Sequence, residues 1–455
     1  MIFIAKINFN DKNHLSGGFP MKLLMNNRAF RFLWLAQTIS ELGDGITRLV
    51  VIFLVAHLSS DPLAISLVVL ANVLPSMLLG TFVGPIADRF QRSHIMMAAD
   101  IYRAVIVVLL IAFQHNLYGI YALILLQNIG TVFFEPARAA IVPSLIGKEN
   151  ISQAVSFSQA TFMAMRLVGP SIAGLLIPLG HFNRLFLFNG LTFMLSALFI
   201  YAMTKAKPVP DRTREEIQNE RGLPGQSAAA KEPYWKSLKA GIRTIYRHDG
   251  LFALLLLLVP IMLVVGVINT NLNAALLQTF RIPAEHFGFI SSMVAVGSIL
   301  GALAAPYLMK RVASNVLLLG AVGVIGLFCL LIIPLHSLYQ TSGVLSVYVW
   351  SIGLGVSLAC TNVPLSSLFI TIMPDEMRGR GSGVFDSVSQ AGTVLGIGIG
   401  GLFASMFGVL LATALAGLLL IIVVVIFPLL KYNQALRNTN EARMTGGDLA
   451  MSSSD

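Results

Sequence analysis

Between Phe30 and Pro428 the chain is a succession of apolar stretches, each long enough to cross a bilayer and separated by short polar joints. A helix needs roughly 20 apolar residues to span the hydrocarbon core. On that rule the spans are Phe30–Leu58, Leu63–Ala87, His94–Phe113, Tyr118–Val142, Ile151–Leu179 and Leu185–Thr204, then Gly250–Thr279, His286–Met309, Asn315–Leu335, Gly343–Met373, Gly383–Phe407 and Gly408–Leu430. In lipid, only helices satisfy every backbone group within one segment, and stretches this long exclude barrel strands. The sequence therefore predicts an all-α polytopic membrane protein of twelve transmembrane helices. Composition agrees: 56% of residues are hydrophobic and 11% charged, against about 45–50% and 25% in soluble domains. The mean hydropathy is +0.79.

A polar stretch divides the spans into six and six. This gives an N-terminal segment (1–29), a six-helix half (30–204), a linker (205–249), a second six-helix half (250–430) and a tail (431–455). The joints at 59–62, 114–117, 334–342 and 405–408 carry no Lys or Arg. The opposite set carries Arg89, Arg92, Lys148, ten basic residues from Lys205 to Arg247, Lys310, Arg311, Arg378 and Arg380. By the positive-inside rule both termini and the linker face the cytoplasm, in a multi-pass protein of the inner or plasma membrane. That placement accounts for the formal charge of +10 without invoking nucleic acid as a partner. Residues 1–20 read as an appendage ahead of Met21, with no small-residue cleavage site of a signal peptide. In the linker, Trp235, Leu238, Ile242 and Ile245 recur at helical spacing beside Lys236, Lys239, Arg243 and Arg247. That pattern predicts an amphipathic helix on the anionic inner leaflet. Cys329 and Cys360 fall inside apolar spans and read as core filler.

Several ionisable residues lie where lipid penalises them. Glu41, Asp44 and Arg48 stand at i, i+3 and i+7 along one stripe of the first span, and Arg166 lies in the fifth. A lone charge at mid-bilayer costs about 3 kcal/mol on insertion scales, so such groups usually face a water-filled path. With a rise of 1.5 Å per residue, Asp44 lies ~20 Å along the helix from Arg31, close to mid-membrane. Burial and a nearby arginine, Arg48 or Arg166, act on its ionisation in opposite senses, the balance a proton-carrying carboxylate requires. Glu41 or Asp44 is thus the candidate carrier of a coupling proton, with Arg166 responding to it.

Glu135 and Arg138 form an i, i+3 pair near the cytoplasmic end of the fourth span, suited equally to a gate or to an interfacial ion pair. Asp100 and Arg103 on the third span have the same spacing, sit near the same face and read as a structural pair. Asp386 falls in the first turns of the eleventh span, as a helix-dipole cap or a latch partner. Asn72, Asn269, Asn271, Asn273 and Gln278 read as cavity lining, and the alternation of the last three asparagines suits an unwound or kinked segment. The sequence has no phosphate-binding Gly-x-x-x-x-Gly-Lys-[Ser/Thr] loop, metal-ligand cluster or nucleophile–base constellation. No cofactor and no enzymatic activity are expected.

The run Gly84-Pro85-Ile86-Ala87-Asp88-Arg89-Phe90-Gln91-Arg92 joins the second and third spans. Gly84 permits close helix approach, and Asp88 can pair with Arg89 or Arg92 or sit at a helix N-terminus. Gly84, Asp88, Arg89 and Arg92, with Asp386, form the candidate cytoplasmic latch. The run resembles the signature loop of the major facilitator superfamily. Gly169-Pro170 with Gly174 resembles the glycine–proline packing motif of its antiporter branches. The stretch from Phe134 to Pro143, with Ala154 after it, resembles the subgroup holding macrolide-efflux and enterobactin-export proteins.

The resemblance covers roughly residues 28–430. It implies two pseudo-symmetric six-helix halves and proton-coupled antiport, by alternating access, of an amphipathic small molecule such as a drug, a macrolide-like compound or a siderophore. The implied partners are that substrate, protons and the lipid bilayer, with the chain acting as a monomer. A lysophospholipid flippase or an ion-coupled importer of the same fold is the alternative, and a membrane-embedded enzyme or sensor a more distant one. One departure stands out. Drug–proton antiporters of the superfamily carry an arginine midway along the fourth span, followed closely by a glycine, whereas here Leu126-Gln127-Asn128-Ile129 precedes Gly130. The halves also echo each other: Gly169-Pro170-Ser171-Ile172-Ala173-Gly174-Leu175 matches Gly396-Ile397-Gly398-Ile399-Gly400-Gly401-Leu402, 227 positions later, as in duplicated transporters.

Overall fold

The computed structural model describes residues 27–87, 90–146, 150–206, 249–373 and 378–430, and no strand occurs among them. Before the linker come α1 (Arg28–Leu58), α2 (Pro62–Ala87), α3 (Arg92–Phe113), α4 (Leu117–Ile146), α5 (Ile151–Leu176) and α6 (Phe182–Ala206). After it come α7 (Asp249–Ala274), α8 (Ala284–Arg311), α9 (Ser314–Leu330, resuming as Ile332–Ser342), α10 (Val344–Ile372), α11 (Arg378–Phe407) and α12 (Val409–Ile426). Ten of the described helices are long and apolar enough to cross a membrane, and eleven if the two pieces of α9 make one span. α1 has the length, at 31 residues; Glu41, Asp44 and Arg48 are what make it insufficiently apolar.

Three elements differ from the sequence expectation. The joint expected at 334–342 is helical: α9 bends by 56° and runs on to Ser342. Pro334 has no N–H for the carbonyl of Leu330, and its ring crowds that carbonyl. The helix therefore breaks at Leu331 and restarts with Pro334 in a first turn, where proline is tolerated. α7 is not unwound at its asparagines: it stays α-helical through them to Ala274 and passes into a π turn at Ala275–Thr279. α11 starts at Arg378, five residues ahead of the expected Gly383. The amphipathic stretch from Trp235 to Arg247 lies outside the described residues, as do Asp88 and Arg89.

The chain forms two compact units, Met1–Val51 with Leu78–Asp211, and Ile52–Met77 with Arg212–Asp455. In the first, α1, α3, α4 and α6 share an apolar core that includes Phe30, Leu33, Met96, Phe134, Ile141 and Met203. In the second, the beginning of α2 is fastened by a 2.6 Å hydrogen bond between the hydroxyls of Ser66 and Thr270. Gln278 Nε2 also donates to the carbonyl of Ser59 at 3.0 Å. Cys329 and Cys360 are buried free thiols of this unit.

Glycines set the closest helix contacts in both units. A Cβ added at Gly396 would lie 2.0 Å from the carbonyl oxygen of Leu263, and one at Gly266 would lie 2.2 Å from that of Thr393. α7 and α11 therefore meet backbone to backbone, the approach that small residues permit between membrane helices. In the first unit α1 and α5 meet in the same way: a Cβ on Gly45 or Gly169 would stand 3.1 or 3.0 Å from the other's Cα. Gly169 is the residue that the sequence echo aligns with Gly396, so the echo corresponds to one helix crossing built twice.

The variant Gly396→Ala should melt several degrees lower in detergent, because overpacking costs about 1–3 kcal/mol. Gly398→Ala, with nothing within 4 Å of its added Cβ, should melt at or above the parent temperature. Thermal unfolding followed by tryptophan fluorescence reads both.

Candidate functional site

Two glycines decide what surrounds Asp44. On one side, a Cβ at Gly43 would sit 2.2 Å from Asn189 Oδ1 and 2.3 Å from Thr192 Oγ1, so α6 presses directly on the backbone of α1. On the other, Gly45 rests on Gly169 of α5. Asn189 Nδ2 then donates to Thr47 Oγ1 at 2.7 Å and fixes α1 against α6. Held in this way, Asp44 meets α3 and α4. Its Oδ1 accepts from Gln127 Nε2 at 3.1 Å, and its Oδ2 lies 3.6 Å from Arg103 Nη1.

Arg103 is the centre of the cluster. Its Nη2 donates to Asp100 Oδ1, one turn away on α3. Asp100 Oδ2 accepts from Ser196 Oγ of α6 at 2.6 Å. The guanidinium lies between two aromatic rings, 4.7 Å from the centroid of Phe134 and 4.4 Å from that of Phe193. Such cation–π contacts are strongest where water is excluded. Gly130 on α4 makes the room, since a Cβ there would come within 2.7 Å of Arg103 Cγ.

Two carboxylates thus face one guanidinium, leaving the cluster one negative charge in excess when both are ionised. The two are not equivalent. The Asp100 side chain is sealed at 0% exposure and holds two hydrogen bonds. Asp44, at 17% exposure, is paired more loosely.

The other sequence candidates fall around this cluster. Glu41, one turn from Asp44, is half-buried, with Asp44, Arg48, Glu135 and Arg103 as its electrostatic neighbours. Arg48 and Arg166 are exposed; the Arg166 guanidinium lies 5.5 Å from the ring centroid of Phe162. Neither forms the ion pair with Asp44 that the sequence suggested. Glu135 and Arg138 pair with each other through Oε2, at 2.6 Å from Nη2 and 3.0 Å from Nε, and remain partly exposed.

Of the latch residues, Gly84 lies in the last turn of α2. Arg92 Nη1 donates to the carbonyl of Ala140 at 2.6 Å, tying the start of α3 to α4. Asp386 is exposed, and with α11 starting at Arg378 it sits about two turns inside the helix. Because the helix dipole acts within the first turn, Asp386 does not cap it. Gly169 and Gly174 are buried in α5 around Pro170. Asn271 lines no cavity here. It is wholly buried, and both polar atoms of its amide lack a hydrogen-bond partner.

Sequence reasoning missed the partnership of Arg103 and Gln127 with Asp44, and read Asp100–Arg103 as a separate structural pair. The signal was present in the departure already noted. Where the fourth span lacks an arginine ahead of Gly130, the structure brings in the arginine of α3, packed on that same glycine.

The chain matches the Major Facilitator Superfamily over residues 33–385 and 254–447. It is 27% identical to the MFS-type transporter YfiS of Bacillus subtilis over 409 residues, covering 88% of this chain and 93% of that protein. Macrolide efflux protein A of Streptococcus pyogenes is 23% identical over 89% of this chain and 97% of its own length. The enterobactin exporter EntS of Escherichia coli is 26% identical over 92% and 96%. Among solved structures, a bacterial homologue of the iron transporter ferroportin superposes with a TM-score of 0.68 at 16% identity, over 88% of this chain and 98% of that one. The membrane-crossing helices, their paired glycine crossings and the match along most of the chain lead to one conclusion: this chain belongs to the Major Facilitator Superfamily, and is a multi-pass membrane transporter rather than an enzyme.

Proposed function

We propose that the protein is a secondary efflux carrier that exchanges an amphipathic small molecule for protons. It works as a monomer in the inner or plasma membrane, with both termini in the cytoplasm. The observation that carries this reading is Asp44, a partly accessible carboxylate within a membrane helix, sharing the Arg103 guanidinium with a second carboxylate. Such a group can take up a proton from water and lose its ion pair in doing so. Ionised, Asp44 holds α1 to Arg103 of α3 and to Gln127 of α4. Protonated, it releases the guanidinium and loosens α1 for the opposite-facing state. Glu41 relays protons between Asp44 and the accessible Glu135–Arg138 pair, and Arg48 and Arg166 balance the charge of the stripe. Gly84, Asp88, Arg89 and Arg92 act as a latch on the cytoplasmic side, and Gly169, Pro170 and Gly174 keep the α1–α5 contact tight.

The relatives named for macrolide efflux and enterobactin export support outward transport of bulky amphipathic cargo. The test is purified protein in liposomes with an imposed pH gradient, a pH dye in the lumen, and a panel holding a macrolide, a lipophilic cationic dye and a catecholate siderophore. Cargo movement against the proton flux, with a matching change in lumen pH and abolished by a protonophore, is expected. Cargo movement with no pH response would refute proton coupling. Movement in the same direction as protons would make the protein an importer.

A further inference from the structure

Arg103 is held in a way that an ordinary structural ion pair does not need. It bridges carboxylates on two helices, α1 and α3, and stands between aromatic rings from two more, α4 and α6. Its Nε is buried and without a partner, so the guanidinium is committed through Nη1 to Asp44 and through Nη2 to Asp100. The two commitments are unequal. Asp100 accepts a hydrogen bond on each oxygen, from Arg103 and Ser196, and is shielded from solvent, whereas Asp44 stands 3.6 Å off with part of its surface open.

We propose that Asp44, Arg103 and Asp100 titrate as one unit, in which Asp100 is the fixed anchor of Arg103 and Arg103 is the positioning residue that transmits the charge of Asp44 from α1 to α3. The inference rests on the reading of Asp44 as proton carrier and goes beyond it. The energy available to move α1 is set by how Arg103 is shared between two carboxylates. Interacting groups of this kind titrate with values that belong to the cluster and not to one residue.

The charged groups about Asp44 are Glu41 and Arg48 on its own helix and Asp100 and Arg103 on α3, while Glu135 of α4 and Arg166 of α5 act on Glu41. At this level α6 supplies the neutral Asn189 and Ser196. Among these, Asp100 competes for the same guanidinium, and that competition fixes the sign of its removal. In Asp100→Asn, Arg103 belongs to Asp44 alone and a like charge is gone, so Asp44 stays ionised to lower pH.

Three variants in liposomes test this, read by the pH of half-maximal gradient-driven transport. Asp100→Asn should move the profile toward acid by about one to three units, the range for a carboxylate gaining an undivided cation. Ser196→Ala, which removes a donor from the ionised cluster, should move it toward alkaline by about one unit. Gln127→Leu, which strips a donor from Asp44 itself, should also move it toward alkaline. If Gln127→Leu shifts the profile while Asp100→Asn and Ser196→Ala do not, the shared unit is refuted and Asp44 alone carries the proton. If none of the three shifts it, the reading of Asp44 fails as well. Should Asp100→Asn not fold, Ser196→Ala decides the matter alone, since a purely structural Asp100 would leave the profile unmoved.

Discussion

Asp44→Asn should abolish gradient-driven accumulation, down to the level of empty liposomes, while leaving substrate exchange across the membrane intact. The amide has nearly the size and hydrogen-bonding reach of the acid, so Gln127 can still donate to its oxygen. Arg103 keeps its bond to Asp100, so no buried cation is orphaned. What the amide lacks is a titratable proton, and it imitates the protonated form at every pH. A carrier frozen in that form can still alternate with cargo bound, but it cannot use the proton gradient. The two assays therefore separate: counterflow of labelled against unlabelled substrate persists, and accumulation driven by the pH gradient disappears. Unchanged gradient-driven accumulation would remove Asp44 from the proton path and leave Glu41 as the carboxylate of α1 to examine.

Arg103→Ala should have the largest effect on the folded protein itself. Removing one member of a buried ion pair costs about 3–5 kcal/mol, because the partner is left charged and uncompensated. Here two carboxylates lose their cation, and the rings of Phe134 and Phe193 lose the group between them. Low yield and a melting temperature many degrees below the parent are expected in detergent. Arg103→Lys should fold better but transport poorly, because a compact ammonium lacks the planar fork that reaches both carboxylates while keeping contact with the two rings. The double variant Arg103→Ala with Asp100→Asn should regain part of the lost stability, since it removes one uncompensated charge. Simple additivity of the two changes would mean that the residues do not interact.

The spans were legible because a run of apolar residues is a local property, and most observed ends lie within a few residues of the expected ones. α9 was misread for a related reason. Pro334 looks like a loop residue in sequence, yet it fits the first turn of a restarted helix. The importance of Asp44 was also legible, since a charge in an apolar span is conspicuous. Its partner was not. Arg48 and Arg166 were nearer candidates by position, whereas the actual choice of Arg103 depends on which way α1 faces. That rotation is set by Gly43 against Asn189 and Gly45 against Gly169, contacts between residues far apart in sequence. Asp386 illustrates the opposite limit: an error of five residues in where α11 begins was enough to move it out of the first turn.

The glycine crossings have a mechanical consequence. Most packed helices interlock, with ridges of side chains on one filling grooves on the other, and turning one against the other means disengaging those teeth. At Gly45 on Gly169, and again at Gly266 on Gly396, the touching surfaces are bare backbone. Such a contact works as a smooth bearing, letting each helix roll through a small angle on its neighbour without losing touch. Asp44 is mounted on the rim of the first bearing, one residue from its contact point, so a small roll of α1 is enough to carry the carboxylate toward Arg103 or away from it.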